Sequence, residues 1–287
     1  FELHGAYEAR DYCVQYRESD LAFATRLLEE EGISFRFDHT REPDHEVMVM
    51  TDSNDVFAAV TTLDGLVELP LVPDRAEQFD LESVQSFSWR RQLRSTSVAR
   101  LDFDLDQPLD PLVYAAEGAD ERGLEREVYE HQVRRFVLDD GEALAIRERE
   151  RHALVGAVGR GRSNVTGMAP GTTFELFDHG NDDLNRAYLV TKVVHTGSQP
   201  ESLGSAEDAP QYANTFECIP LDVPHRPLRR TPRPKVEGPQ TATVTGPEGE
   251  EIHTDELGRI KIFMHWDRHG ARNDASSCWV RVTQALA

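Results

Sequence analysis

Residues 12–37 read YCVQYRESDLAFATRLLEEEGISFRF, and the change of period inside this stretch decides the fold. Cys13, Val14 and Tyr16 form a short strand-like run. Ser19 or Asp20 can cap a helix behind it, because a side-chain oxygen there accepts from a first-turn N–H. Leu21, Ala24 and Leu28, joined by Phe23 and Leu27, recur at three and four residues and predict one apolar helical stripe. Gly32 stops that helix. Ile33, Phe35 and Phe37 then alternate with Ser34 and Arg36, the period of a half-buried strand. The helix is therefore expected to pack on a sheet that begins directly after it. Glu29, Glu30 and Glu31 oppose the helix dipole at its C-terminal end. A solvated helix end is the reading preferred there over a cation site.

Working outward, HEVMVMTD (45–52) reads as the partner of ISFRF across a polar turn at 38–44. Further strands are expected at 79–90, 97–105, 133–138 and 153–158. One more helix is expected over 141–151, with Asp139 and Asp140 as cap candidates. Thr173–Phe177 and Ala187–His195 read as two strands around the loop DHGNDD (178–183). That loop lacks the ordered alternation and closing Glu of a calcium loop, and Gly-Asn-Asp is turn chemistry. QPESLGSAEDAP (199–210) reads as an exposed insertion. NTFECIP follows as a strand. LDVPHRPLRRTPRPKVEGPQ (221–240) combines five prolines with a basic cluster, which makes it an extended connector lying along the chain's own surface. The fold class is mainly β with minor α.

Composition removes several functions. The 52 acidic and 31 basic side chains leave a net charge of −21, which repels phosphate backbones and anionic membrane surfaces. Phe263, Trp266 and Trp279 could stack on bases, but the basic groove of a single-strand binder is missing. Cys13, Cys218 and Cys278 lie far apart and outside any C-x-x-C spacing, so free thiols are expected, with neither a disulfide framework nor zinc. No signal peptide and no membrane-spanning run appears.

No G-x-S-x-G, H-E-x-x-H, phosphate loop or dinucleotide fingerprint is present. The acidic side chains do not present a positioned acid/base pair. His265 and His269, four apart, would share a helix face. The run 259–266 alternates with a period of two, however, so a strand rather than a two-histidine metal site is expected. The expected site inventory is accordingly no catalytic residue, no cofactor and no metal.

Two stretches carry a specific resemblance. Residues 12–37 are similar to the helix-strand signature of the VgrG spike proteins of type VI secretion systems, in their phage tail-hub-like part. Residues 231–287, TPRPKVEGPQTATVTGPEGEEIHTDELGRIKIFMHWDRHGARNDASSCWVRVTQALA, resemble that family's entry into its spike OB-fold domain. RAYLVTKVVH and YANTFECIPLDVPHRP match in the same order. The resemblance implies β-barrel tube domains with accessory helices followed by an OB-fold. The chain would divide into a first tail-hub region (1–115), a second hub barrel region (116–221), the connector (222–240) and the start of the OB-fold (241–287). It implies a homotrimer that caps the Hcp tube hexamer and a C-terminal needle carrying a PAAR tip protein and effectors, the needle and not this segment contacting the target membrane. It implies assembly in the bacterial cytoplasm, then secretion into a target cell. The start of the first barrel, the end of the OB-fold and the needle are expected outside residues 1–287. Strand candidates at 241–245, 251–254, 259–266 and 278–284 are one short of the five of an OB barrel. A contractile-phage tail hub is the neighbouring reading, and a β-barrel carbohydrate-active hydrolase the one from another class.

Overall fold

A computed structural model describes residues 1–7, 9–10, 12–39, 41–42, 44–73, 81–103, 108–131, 141–198 and 211–283. The strands expected at 133–138, the caps at 139–140 and the insertion at 199–210 lie outside these residues. The described residues form two compact units, one of Phe1–Ala6 with Leu27–Arg230 and one of Tyr7–Arg26 with Thr231–Ala287.

Helix α1 spans Asp20–Glu31. Ser19 is its cap, its Oγ accepting from Ala22 N at 3.2 Å. Its end is a Schellman turn: Gly32 sits at φ +72, Gly32 N donates to Glu29 O, and Ile33 N donates to Leu28 O. The chain passes directly into β1 (Ser34–Asp38), which pairs antiparallel with β2 (Val47–Thr51) in the register the alternation predicts, Phe35 opposite Met50 and Phe37 opposite Met48. The strand-like run at Cys13–Tyr16 joins no ladder; Arg17, at φ 49, bends the backbone away.

A closed barrel is the centre of the larger unit. Its strands are β3 (Ala58–Ala59), β4 (Glu68–Pro70), β5 (Val84–Arg91), β9 (Ala157–Ser163), β10 (Thr172–Phe177), β11 (Ala187–Ser198) and β12 (Gln211–Pro220). They run β3-β10-β11-β12-β9-β5, with β4 beside β3 on the outer edge of β10. Leu71, just past β4, bridges Val84 of β5, and Val72 N donates to Val84 O at 2.8 Å, so the two edges meet. Closure removes the unpaired edges that an open sheet exposes.

Side chains fill the interior. Leu69, Val84, Phe174, Tyr188, Phe216 and Cys218 are buried within one cluster, with Phe87 and Trp89 against them. Gly159 and Gly161, both inward on β9, are a condition of that packing. A Cβ on Gly161 would lie 2.4 Å from the Phe216 ring, and one on Gly159 would lie 2.7 Å from both Cys218 Sγ and the Phe87 ring. The two glycines give up volume to aromatic side chains from the neighbouring strands. The DHGNDD segment is an ordered loop: His179 N donates to Asn185 Oδ1, Asn185 Nδ2 returns to His179 O, and the His179 ring meets Phe87 edge-on.

A second sheet, β7-β6-β8, is formed by β6 (Ser97–Asp102), β7 (Leu112–Ala116) and β8 (Glu127–His131), with β6 and β8 parallel. Helix α2 (Gly141–Leu154) packs on β6 and β7. It runs three residues past the expected end, so Ala153 and Leu154 are helical and the strand expected from 153 begins at Ala157, after a turn at Gly156. In the smaller unit β13 (Ala242–Thr245) pairs antiparallel with β14 (Lys261–Met264). The strands expected at 251–254 and 278–284 reduce to single bridges, Thr254 to Ile260 and Ile260 to Val280. Ser277 stands where a ladder would continue, its Oγ accepting from Ile262 N at 2.9 Å.

Candidate functional site

The residues that sequence chemistry singled out are dispersed along the chain. Cys218 is buried in the barrel, which pushes its thiol far up, whereas Cys13 and Cys278 are exposed. His265 and His269 are both exposed beyond the end of β14. Between them Asp267 Oδ1 accepts from His269 N at 3.0 Å and Gly270 N at 2.8 Å, which makes this a turn. Among the described residues no three His, Cys, Asp or Glu side chains converge as metal ligands, and no helix is long and apolar enough to cross a membrane. Trp266 lies tilted against Tyr16 at 4.9 Å and donates to Gln240 Oε1, Phe263 is buried, and Trp279 lies under Lys261 Nζ at 4.8 Å. All three aromatic side chains thus make contacts within the smaller unit, Phe263 buried, Trp279 half-buried and Trp266 exposed.

The triple glutamate reads differently in three dimensions. Glu29 and Glu30 are buried, not solvated. Arg151 of α2 donates through Nη2 to the carbonyls of both, supplying the cation that a helix C-terminus favours. Glu29 Oε2 accepts from Arg230 N at 3.0 Å, and Glu31 pairs with Arg147 at 3.2 Å. The bound cations are the protein's own guanidinium groups.

These contacts belong to a larger network built on Glu148, which α2 aims at the β6–β8 sheet and at the connector. Glu148 Oε2 lies 2.6 Å from Arg151, 3.3 Å from Arg100 and 3.3 Å from Arg229. Arg100 is 2% exposed and also pairs with Glu130 at 2.8 Å. Its Nε and Nη1 are buried with no hydrogen-bond partner among the described residues. Burial raises the Glu148 carboxyl, but the pull of Arg229, Arg151 and Arg100 outweighs it and holds the group below its ordinary range. Burial lowers Arg229 to about 10.

Arg151 and Arg226, with Asn54, strap residues 221–230 down. Asn54 Nδ2 donates to the carbonyls of Leu221 and Val223, both at 2.8 Å, and Asn54 Oδ1 accepts from His225 N. Arg226 pairs with Glu150 at 2.6 Å and donates to Asp52 O, while Arg151 Nε donates to Pro227 O. Residues 221–230 therefore lie along their own unit, as the basic composition on an acidic chain implied. His225 is half-buried, edge-on to Phe57, and loss of solvent around its ring drives the imidazole down to about 4. What this unit offers the outside is shape: a closed barrel, a second sheet packed on α2, and an irregular exit segment pinned by side chains.

The phage tail baseplate hub (GPD) family matches residues 1–201. The type VI secretion system spike protein VgrG4b of Pseudomonas aeruginosa is 36% identical over 301 aligned positions, covering all of this chain and 36% of that protein. The actin cross-linking toxin VgrG1 of Vibrio cholerae is 33% identical, covering 97% of this chain and 25% of that protein. The chain thus spans about a quarter to a third of the length of these relatives. Among solved structures, the E. coli c3393 protein, a type VI secretion component described as similar to the T4 tail proteins gp27 and gp5, superposes with a TM-score of 0.61 at 23% identity, covering 98% of this chain and 58% of that one. The match to the family and the barrel-centred fold agree: the chain belongs to the phage tail baseplate hub family.

Proposed function

We propose that this chain is the hub region of a type VI secretion spike, a non-enzymatic part whose work is geometric. The observation that carries the reading is the closed, side-chain-filled barrel inside a segment matched by the tail-hub family. A filled barrel is no conduit by itself, so a channel-forming ring needs several such barrels side by side. In this reading three copies form the ring, cap the Hcp tube hexamer and carry a needle, a PAAR tip and effectors. The protein assembles in the bacterial cytoplasm and leaves with the spike. Residues 1–115 and 116–221 supply the hub, 222–240 the connector and 241–287 the start of an OB-fold. A break between compact units falls at Arg230, inside that connector; the larger unit draws one barrel from both hub regions, and Tyr7–Arg26 groups with the C-terminal segment.

A contractile-phage tail hub shares the fold. The 33–36% identity to secretion-system spike proteins across the whole chain favours the secretion assignment. Electron microscopy of gold-labelled full-length protein mixed with purified Hcp tubes tests it. Label confined to tube ends is expected, and label on the tube wall or none at all would overturn the capping role.

A further inference from the structure

A cavity of about 100 Å³ lies where β1, β11 and the start of the connector meet. Its walls are largely apolar, Phe35, Phe57 and Leu189 among them, and its polar side chains include Arg36 and His225. Pro170, also in the lining, is exposed, so the cavity reaches the surface. Arg36 Nε and His225 Nδ1 are both buried and have no hydrogen-bond partner among the described residues. Arg36 Nη1 is engaged, at 3.0 Å from Asp38 Oδ2, an oxygen that also accepts from Arg41 Nε. That pair leaves the Nε edge of the guanidinium without an acceptor. An unmet N–H on a charged group is costly, so a partner for it is to be expected. Gly171 keeps the space clear: at φ +81, a Cβ there would lie 2.8 Å from Arg36 Cδ and 3.4 Å from the Phe57 ring.

We propose that this cavity binds a short-chain carboxylic acid as its anion, the carboxylate accepting from Arg36 Nε and His225 Nδ1 and the alkyl end lying against Phe35, Phe57 and Leu189. An anionic oxygen is the acceptor that forms the stronger bond to a guanidinium N–H. The His225 ring is neutral, held near 4 by loss of solvent, and the tautomer with its proton on Nδ1 donates there. Water also meets both atoms, since the cavity has several times the about 10–15 Å³ that admits one molecule. Water alone leaves the apolar walls wetted, whereas an alkyl end displaces it from them. The volume is well below the about 300–1,000 Å³ of a drug-sized site, which limits the ligand to a few heavy atoms. Bound there, the acid ties the connector at His225 to β1 at Arg36. The inference is independent of the hub reading.

Ligand-observed saturation-transfer NMR on the full chain tests it, with propionate as the probe and propionamide, of the same shape but uncharged, as the control. A saturable propionate signal is expected, with propionamide bound at least about tenfold more weakly, because a hydrogen bond to a charged group is worth that factor or more. His225→Leu and Arg36→Gln should each weaken propionate by at least about tenfold while far-UV circular dichroism stays unchanged. No saturable signal, or equal binding of the two probes, overturns the proposal. Propionate binding that both folded variants retain overturns the site. Should the variants misfold, a crystal of the parent chain soaked in propionate reads the same cavity without substitution. Propionate density between Arg36 and His225 supports the proposal, and water alone there overturns it.

Discussion

Replacing Glu148 by Gln removes one negative charge and exposes what holds the larger unit together. Its carboxylate serves three guanidinium groups, Arg151 at 2.6 Å and Arg100 and Arg229 at 3.3 Å, and the Arg100 and Arg151 side chains are only 2% and 3% exposed. Removing one partner of a buried ion pair costs about 3–5 kcal/mol, because the surviving charge stays desolvated without compensation. For a unit of about two hundred residues each kcal/mol lowers Tm by about 2–4 °C, so the loss should be on the order of 10 °C. The assay is thermal denaturation at neutral pH, with Glu121→Gln as control. Glu121 pairs with Arg91, but both side chains are largely exposed, and such a pair contributes less than about 1 kcal/mol. The acid limb adds a second readout. The folded-state pKa of Glu148 is depressed, so its stabilisation is present above pH 4.5 and lost as pH falls through the folded value. The Gln variant should therefore lose stability less steeply below pH 4.5. If Glu148→Gln costs no more than the control, the network contributes nothing and the account of the strap is wrong.

Other expectations are simpler. Gly161→Val should destabilise the barrel by about 1–3 kcal/mol or more by overpacking, since even a Cβ there meets the Phe216 ring at 2.4 Å; Gly180→Ala, which meets nothing within 4 Å, should leave the urea midpoint unchanged. His225, held near 4 by burial against an ordinary value of 6.5, is neutral in the fold, so the unfolded chain takes up its proton first as pH falls. Stability should drop by about 3 kcal/mol between pH 6.5 and 4 in denaturant titrations, and His225→Phe should flatten that window. A thiol reagent applied to the native chain should titrate Cys13 and Cys278 quickly, and Cys218 only after unfolding.

The parts of this molecule that were legible in the sequence are those whose signals are local. The α1–β1 passage could be read because its apolar period changes at Gly32, and the β1–β2 register because both strands alternate over a short turn. Strands β7 and β8 were missed: LVYAA and EVYEH are short, and β8 pairs with a strand about thirty residues earlier, which no local period reports. The glutamate run was misread because its partners, Arg147, Arg151 and Arg230, lie more than a hundred residues away. The neighbourhood of β9 was not legible for a similar reason: only its pairing with β12, which also pairs β11, sets Arg160 and Arg162 near Lys192. The GRGR repeat at 159–162, cations alternating with glycines, marks β9 as a strand with a charged outside and an inside reserved for neighbouring side chains.

The central claim is that this barrel is one of several around a common axis, and the mass of the native assembly tests it most directly. Native mass spectrometry of the full-length protein at micromolar concentration should give three copies per particle. A single copy at every concentration would contradict the account.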